Sequence, residues 1–428
     1  MSAYLASLKT PEAADADRFG PKAARQTEMA LAGLPTPGGV ALGAEAYRRQ
    51  LEHAGVADAA RAVSGKDRFE ARDLISEVRI ALFDSEIAPE IAEPLLDAWH
   101  RMRAETGARM AVRSSALAED RAGSNFAGQF ESFLGLEEDA DLLTAVRACW
   151  AAAWSSRALS YIESHGIDPA ATGMGVIVQP LIEAKVSGGG MSRTAAGGME
   201  ITAARGLGTG IAQGEVVPDR YVLTANGTLT ESSIGRKAHS TGCRTHHGGP
   251  HARLLEAESP EERCLSDAQA EELAGLLKRS ERLVDGPAEI EWVRDGAGFK
   301  LVQVRPLTVE KPAVPDEIWL KKPGIRGHAS GIGWGAGRAC VVTCECELGR
   351  VAPGDVLVTK VAGPALAQVL PRVSGVVAEL GGSTSHLASL ARERGIPMVL
   401  GLLDATGKIP DGAQVGVDGV TGVVRWMN

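Results

Sequence analysis

The residues best placed to do covalent chemistry lie in one run, VVAELGGSTSHLASLARERGIPMVLG, residues 376–401. Read as local structure, it is a strand, a Gly-Gly turn, a helix and a second strand. Gly381 and Gly382 permit a tight backbone path, and Thr384 or Ser383 can cap the helix. Leu387, Leu390 and Ala391 fall on one helical face. Gly395 ends the helix and Pro397 forbids its return. His386 is therefore expected in the first helical turn, with Gly382, Thr384 and Ser385 in the loop before it. There, free backbone N–H groups and the positive end of the helix dipole favour an anion and disfavour a charged imidazole. A neutral imidazole is a nucleophile, and a phosphoryl group carried on it would be stabilised by the same field.

A phosphorylated histidine needs a donor, and upstream segments offer groups that hold polyphosphate. In AVRSSALAEDRAGSNFAGQFESFLGL, residues 111–136, a strand ends at Arg113 and a loop with Gly123 and Gly128 follows. Such a loop can fold over phosphates with its N–H groups and Ser hydroxyls, and Arg113 suits a bidentate phosphate contact. In EIEWVRDGAGFKLVQVRPL, residues 289–307, two strands flank the turn Asp295-Gly296-Ala297-Gly298. A three-residue loop, Gly296 to Gly298, would set Glu291 opposite Gln303 and Glu289 opposite Arg305 on one face. Oxygen donors of this kind suit Mg²⁺ shared with a nucleotide.

The elements that must position these groups read as mixed helices and strands. Strands are expected at 109–113, 174–179, 199–203, 220–224, 289–294 and 299–305, with a hairpin turn at Asn226-Gly227. Residues 139–164 read as one long helix with Gly166 past its end. Residues 312–323 hold three prolines and read as a semi-rigid linker spanning on the order of 35 Å. Residues 324–428 are richer in Gly and Val, with short strands and one clear helix.

Together these runs resemble the phosphoenolpyruvate synthase and pyruvate phosphate dikinase family. The similarity rests on the Gly-Gly-x-Thr-Ser-His core with its Ala-Arg-Glu-x-Gly-Ile-Pro continuation, on Val-Arg-Ser-Ser with Phe-Ala-Gly-Gln, and on Gln-x-Arg-Pro. It extends to FGPKAARQTEMALAGLPTPGGVAL at 19–42, VIVQPLI around Gln179, and RGLGTGIAQGEVVPDRYVL at 205–223. The resemblance implies an α/β (α+β) chain: an ATP-grasp-like N-terminal domain of several lobes at 1–311, the linker at 312–323, and a small swivelling phosphohistidine domain at 324–428. It implies that Lys22, Arg113, Gly128, Gln179, Gly206, Gly208 and Arg305 hold ATP and that Glu291 and Gln303 hold Mg²⁺. His386 would attack the β-phosphorus and release AMP. Lys237 falls where the family often has a lysine. Two departures stand out. Thr209 replaces the usual Glu after Gly-Leu-Gly, and Met191-Ser192-Arg193-Thr194-Ala195 replaces Phe-Thr-x-x-Pro.

In the family, a barrel after the histidine domain binds pyruvate. In rifampicin phosphotransferases an acceptor domain lies between the ATP and histidine domains. This sequence shows neither, so the expected acceptor is a small molecule or a separate acceptor-domain protein. A non-catalytic nucleotide-binding regulator is the alternative from another class.

Bulk composition narrows the partners. The 428 residues are 44% hydrophobic and 23% charged, which excludes wholesale disorder. A net charge of -9 and 4% aromatics argue against a nucleic-acid partner. The start lacks a basic segment followed by an apolar run, and no uncharged apolar stretch approaches the roughly 20 residues of a membrane span. A cytoplasmic protein with six reduced cysteines is expected. Cys344-Glu345-Cys346 reads as one side of a strand. Cys243 with His246, His247 and His251 fits no standard zinc spacing.

Overall fold

The computed structural model describes residues 3–67, 69–118, 132–156, 158–159, 162, 166–169, 172–237, 239–246, 249–256, 261–309, 319 and 322–427. Gly123 and Gly128 lie outside the described residues, as does most of the expected linker. The chain divides into two compact units. The first is Met1–Ile182 with Cys243–Arg253 and Lys300–Gln303. The second is Glu183–Gly242, Leu254–Phe299 and Val304–Asn428.

The first unit is built on a five-stranded sheet. Its strands are β1 (Leu5–Ser7), β2 (Val40–Leu42), β3 (Met110–Ala116), β4 (Ser132–Leu136) and β5 (Met174–Pro180), in the order β1-β2-β5-β3-β4. Every pairing is antiparallel. Side chains alternate across a strand, so Val112, Val176 and Val178 point into a large apolar core shared with Trp99 and Trp150. Ile177 points the other way, into a smaller cluster with Phe19 and Ala23. The single helix expected over 139–164 is interrupted: Asp139–Ala152 closes at Ala153 by tight turn bonds, and Ser156, Ala158, Leu159 and Ile162 are helical again. Tertiary packing accompanies that break: the Trp154 indole is buried and donates to the Tyr47 hydroxyl at 2.7 Å. Burial in turn pushes the Tyr47 phenol up.

The second unit carries β6 (Val186–Met191), β7 (Met199–Arg205), β8 (Asp219–Leu223) and β9 (Leu229–Ser233), then a two-stranded ribbon, β10 (His239–His246) with β11 (Gly249–Glu256), whose middle belongs to the first unit. Next come β12 (Ala288–Asp295) and β13 (Gly298–Pro306), completing a six-stranded sheet in the order β13-β12-β6-β7-β8-β9. The expected turn after β8 is present, with Gly227 at φ 90°. One face of this sheet is apolar. Gly190, Ile201 and Ile290 stand in register, and Leu277 of the helix Asp267–Val284 packs against Gly190 and its row. That helix starts with a full capping box at Ser266 and Gln269. The other face carries Gly189, Glu200, Thr202, Glu289 and Glu291, an unusually polar set for a covered surface.

Residues from 324 onward form an eight-stranded sheet: β14 (Gly324–Arg326), β15 (His328–Ala329), β16 (Trp334–Val342), β17 (Val356–Thr359), β18 (Gly375–Ala378), β19 (Met398–Leu400), β20 (Gln414–Asp418) and β21 (Val423–Met427). The order is β14-β21-β20-β16-β17-β18-β19-β15, with parallel pairing only from β16 through β19. Its core is aliphatic, with Ala339, Val356, Val358, Val377, Val399, Leu402, Val415 and Val417 all buried. Cys344 and Cys346 do not lie on a strand. Cys344 caps the 3-10 helix Glu345–Arg350, and the two sulfurs are bonded. The helical turn brings the thiols together where a strand would have held them apart.

Candidate active site

In the first unit, helix Pro21–Leu31 sets Lys22 at its second position, after Gly20 at φ 81°. Only glycine fits at residue 20, because a Cβ there would lie 2.2 Å from the Ser115 carbonyl oxygen. The helix start is pinned by the Ala23 N–H donating to the Ser115 hydroxyl at 3.2 Å. One turn on, the buried Gln26 side chain donates to Gln179 Oε1 at 3.2 Å. Arg113 and Ser115 share a face of β3, and Gln179 pairs with Ala111 on that same face. Lys22, Arg113 and Gln179 thus converge on one side of the five-stranded sheet. Lys22 and Arg113 are half-buried and Gln179 is buried.

In the second unit, His386 is the first residue of the helix His386–Glu393. The cap is Ser385, whose hydroxyl accepts from the Ala388 N–H, rather than Ser383 or Thr384. Those two hydroxyls are engaged elsewhere. Ser383 donates to Glu200, and Thr384 shares a 2.6 Å hydrogen bond with Thr202. Leu387, Leu390 and Ala391 are buried, as their spacing requires, and Gly395 closes the helix at φ 69°. Toward the far end of the helix, Arg392 forms a buried ion pair with Glu289 at 2.7 Å, and Ser389 donates to the same carboxylate at 3.0 Å. Arg392 also donates to the Ser383 carbonyl, tying the helix to its own loop. The histidine loop therefore rests on the polar face of the six-stranded sheet. Glycine is required at 189, because a Cβ there would lie 2.4 Å from the Thr384 side chain. Glu291 pairs with Gly189 and stands on that same face.

The hairpin carrying Glu291 has a tighter turn than the sequence suggests. β12 ends at Asp295 and β13 begins at Gly298, so the loop is two residues, with the Asp295 carboxylate accepting from the Ala297 N–H at 2.7 Å. Near this turn Phe299 stacks edge-on against Trp292 and lies under Arg294, so these three share a face. At the far end Leu307 donates to the Pro287 carbonyl at 2.8 Å, the bond that sets Arg305 opposite Glu289. Those two registers differ by one residue. The neighbours Leu301 and Val302 show where the difference is absorbed. The Leu301 N–H donates to Pro35, and the Val302 carbonyl accepts from Gln26 and Arg113. Adjacent outward groups break the alternation of a regular ladder, as a bulge does. Gln303 and Arg305, both buried, lie past that irregularity.

Gly206 adopts φ 78° and its carbonyl accepts from Ser187, while Gly208 caps the short helix Thr209–Ala212. The Thr209 hydroxyl is buried with no hydrogen-bond partner among the described residues. Lys237 is fully buried in an ion pair with Asp219. That carboxylate also accepts from the Gly235 and Cys264 N–H groups and, with burial as the larger cause, pushes the Cys264 thiol up to about 12. The side chains of Cys243, His246, His247 and His251 lie outside the described residues. Among those described, no three His, Cys, Asp or Glu side chains cluster to hold a metal by themselves.

Sequence reasoning missed Glu200, Thr202, Ser389 and Arg392. The signal for the first two was the alternation MEITA, with polar Glu200 and Thr202 opposing apolar Ile201 and Ala203. Nothing local marks a buried strand face as polar by purpose.

Residues 16–321 match the pyruvate phosphate dikinase AMP/ATP-binding domain, and residues 351–422 match the mobile domain of phosphoenolpyruvate-utilising enzymes. The chain belongs to the pyruvate phosphate dikinase family. A phosphoenolpyruvate synthase of Aeropyrum pernix is 32% identical over 95% of this chain and 56% of its own length. The phosphoenolpyruvate synthase of Escherichia coli is 32% identical over 96% and 56%. A probable phosphoenolpyruvate synthase of Methanothermobacter thermautotrophicus is 29% identical over 99% and 64%. The chain thus spans a little over half the length of the relatives it matches. The family match gives the first region an ATP-binding role. Among the described residues no helix is long and apolar enough to cross a membrane.

Proposed function

We propose that this chain is a dikinase-type phosphotransferase that moves phosphate from ATP onto His386, releases AMP, and passes the phosphoryl group to a small-molecule acceptor. The observation that carries this reading is His386 at the first turn of a helix whose loop is hydrogen-bonded to the sheet face bearing Glu289 and Glu291. Lys22, Arg113 and Arg305 neutralise phosphate charge, Gln179 lies toward the base, and the glycines at 128, 206 and 208 give close backbone approach to phosphate. Glu291 and Gln303 offer a carboxylate and an amide oxygen, the donor types Mg²⁺ accepts. Bound there, Mg²⁺ would supply charge neutralisation.

The imidazole of His386 attacks the β-phosphorus of ATP and the bond to AMP breaks. Loss of the γ-phosphate to water or phosphate leaves phosphohistidine. The positive end of the helix dipole favours the neutral imidazole before transfer and the phosphoryl oxygens after it. The domain at 324–428 then leaves the sheet, on the linker at 312–323, to reach the acceptor. Transfer to a separate acceptor-domain protein is the second form of this reading. The test is incubation with Mg²⁺ and ATP labelled in the β-phosphate. The expected result is AMP and an acid-labile, base-stable label on the protein. No AMP and no label would return the chain to a nucleotide-binding regulator.

A further inference from the structure

A pocket of about 480 Å³ lies within the second unit, apart from every residue assigned above to ATP or Mg²⁺. Its floor is the polar sheet face beyond Glu200, with Arg220 and Glu231, and one wall is the turn carrying Arg193. Its roof belongs to the C-terminal eight-stranded domain, through Arg326 and His328. The volume is that of a small-molecule site.

The charges in it are not balanced. Arg220 is held by Glu200 at 2.7 Å and reaches Glu231 at 3.6 Å. Arg392, at the pocket edge, is neutralised by Glu289. Arg193 reaches Glu281 only at 4.0 Å, and Arg326 has no ion-pair partner among the described residues. Two guanidinium groups therefore line the pocket, Arg193 from the sheet side and Arg326 from the C-terminal domain. Guanidinium forks suit carboxylate and phosphate oxygens. His328 lines the same pocket.

We propose that this pocket binds a small molecule bearing a carboxylate or phosphate group, and that the ligand favours the arrangement in which the histidine domain rests on the sheet. The coupling follows from linkage. A ligand touching both Arg193 and Arg326 binds only while the sheet and the C-terminal domain are together, so it shifts the population toward that state. This step rests on the proposed function in taking residues 324–428 as the part that moves. The binding step does not.

Calorimetry on the full chain tests it, with inorganic phosphate, pyrophosphate, malonate, phosphoenolpyruvate and 3-phosphoglycerate as probes. At least one should bind at one site, with affinity falling about tenfold in Arg326→Ala and in Arg193→Ala, the loss expected for one charge-assisted contact. Both residues are at least partly exposed, so the variants should fold. ATP affinity should stay within about twofold. The bound probe should also raise the rate of His386 labelling at low ATP in the wild type and not in Arg326→Ala. Failure of every probe to bind below about 5 mM, or equal binding in both variants, overturns the pocket. Binding without acceleration overturns the coupling. Binding in a chain that never labels keeps the pocket and removes the proposed function instead.

Discussion

The C-terminal domain holds itself together and holds its neighbouring sheet by opposite means. Inside it, Val356, Val358, Val377, Val399 and Leu402 form a dry aliphatic core. Where its histidine loop meets the six-stranded sheet, the contacts are Ser383 with Glu200, Thr384 with Thr202, and Ser389 and Arg392 with Glu289. Apolar burial is non-directional and stabilises in proportion to area. Buried polar contacts demand one geometry and give little net stability, because water offers the same bonds to the separated surfaces. A polar seam therefore fixes where the domain sits without binding it permanently. That is the property a shuttling carrier needs.

The largest effect is expected at the nucleophile. His386→Ala should abolish the acid-labile label while ATP affinity stays near wild type, since the proposed nucleotide groups lie on other elements. A wild-type level of label in that variant would remove His386 as the carrier.

Next in size is the ion pair. Arg392→Ala leaves Glu289 buried and unpaired, a loss of roughly 3–5 kcal/mol to the seated state. Labelling should fall by more than about tenfold. Leu402→Ala, in the aliphatic core, should cost about 2–5 kcal/mol of global stability instead. A thermal melt and a labelling rate measured on both variants separate the two. If Arg392→Ala lowers the melting temperature as much as Leu402→Ala and leaves labelling unchanged, the pair is a core element and the contrast fails.

A smaller effect is expected at the threonines. Thr202→Val and Thr384→Val should each reduce the labelling rate by an amount worth about 1 kcal/mol, with the double variant little worse than either single. Strict additivity in that cycle would show that the hydroxyls do not act on one another.

The smallest effect is on pH dependence. Burial, with Arg220 adding to it and Glu200 opposing it, holds the His328 imidazole below its ordinary value. Between that lowered value and about 6.5 the unfolded chain binds more protons than the folded one. Stability should therefore fall as pH drops from about 6.5 through the folded value, and His328→Asn should flatten that slope. Denaturation curves at a series of pH values check it, and an unchanged slope would show that His328 is not held neutral.

Much of the site was legible in the residues. The strand-turn-helix-strand run around His386 announced itself through glycine placement and a helix-period apolar face, and both hold in the structure. The strands bearing Arg113, Gln179 and Glu291 were expected and are present. What failed was local arithmetic overruled at a distance. The helix from 139 was expected to be unbroken, but it is interrupted at 153–155, where the Trp154 indole finds its partner in Tyr47, more than a hundred residues away. The hairpin turn lost a residue, and the register needed for Arg305 to face Glu289 is recovered by an irregularity near Leu301 whose outward bonds go to Pro35, Gln26 and Arg113. Cys344 and Cys346 looked like strand neighbours and met on a helical turn.

The sequence by itself determined the strand-turn-helix run that carries His386 and the family, because those depend on residue type and short spacing. Only the tertiary structure decided that Glu200, Thr202 and Glu289 form the seat of the histidine loop, and that Arg193 and Arg326 face one pocket. A strand of alternating polar and apolar residues reads as half solvated. Whether its polar side meets water or another element depends on residues nearly two hundred positions away, and the energy of that choice lies in contacts that no local window contains.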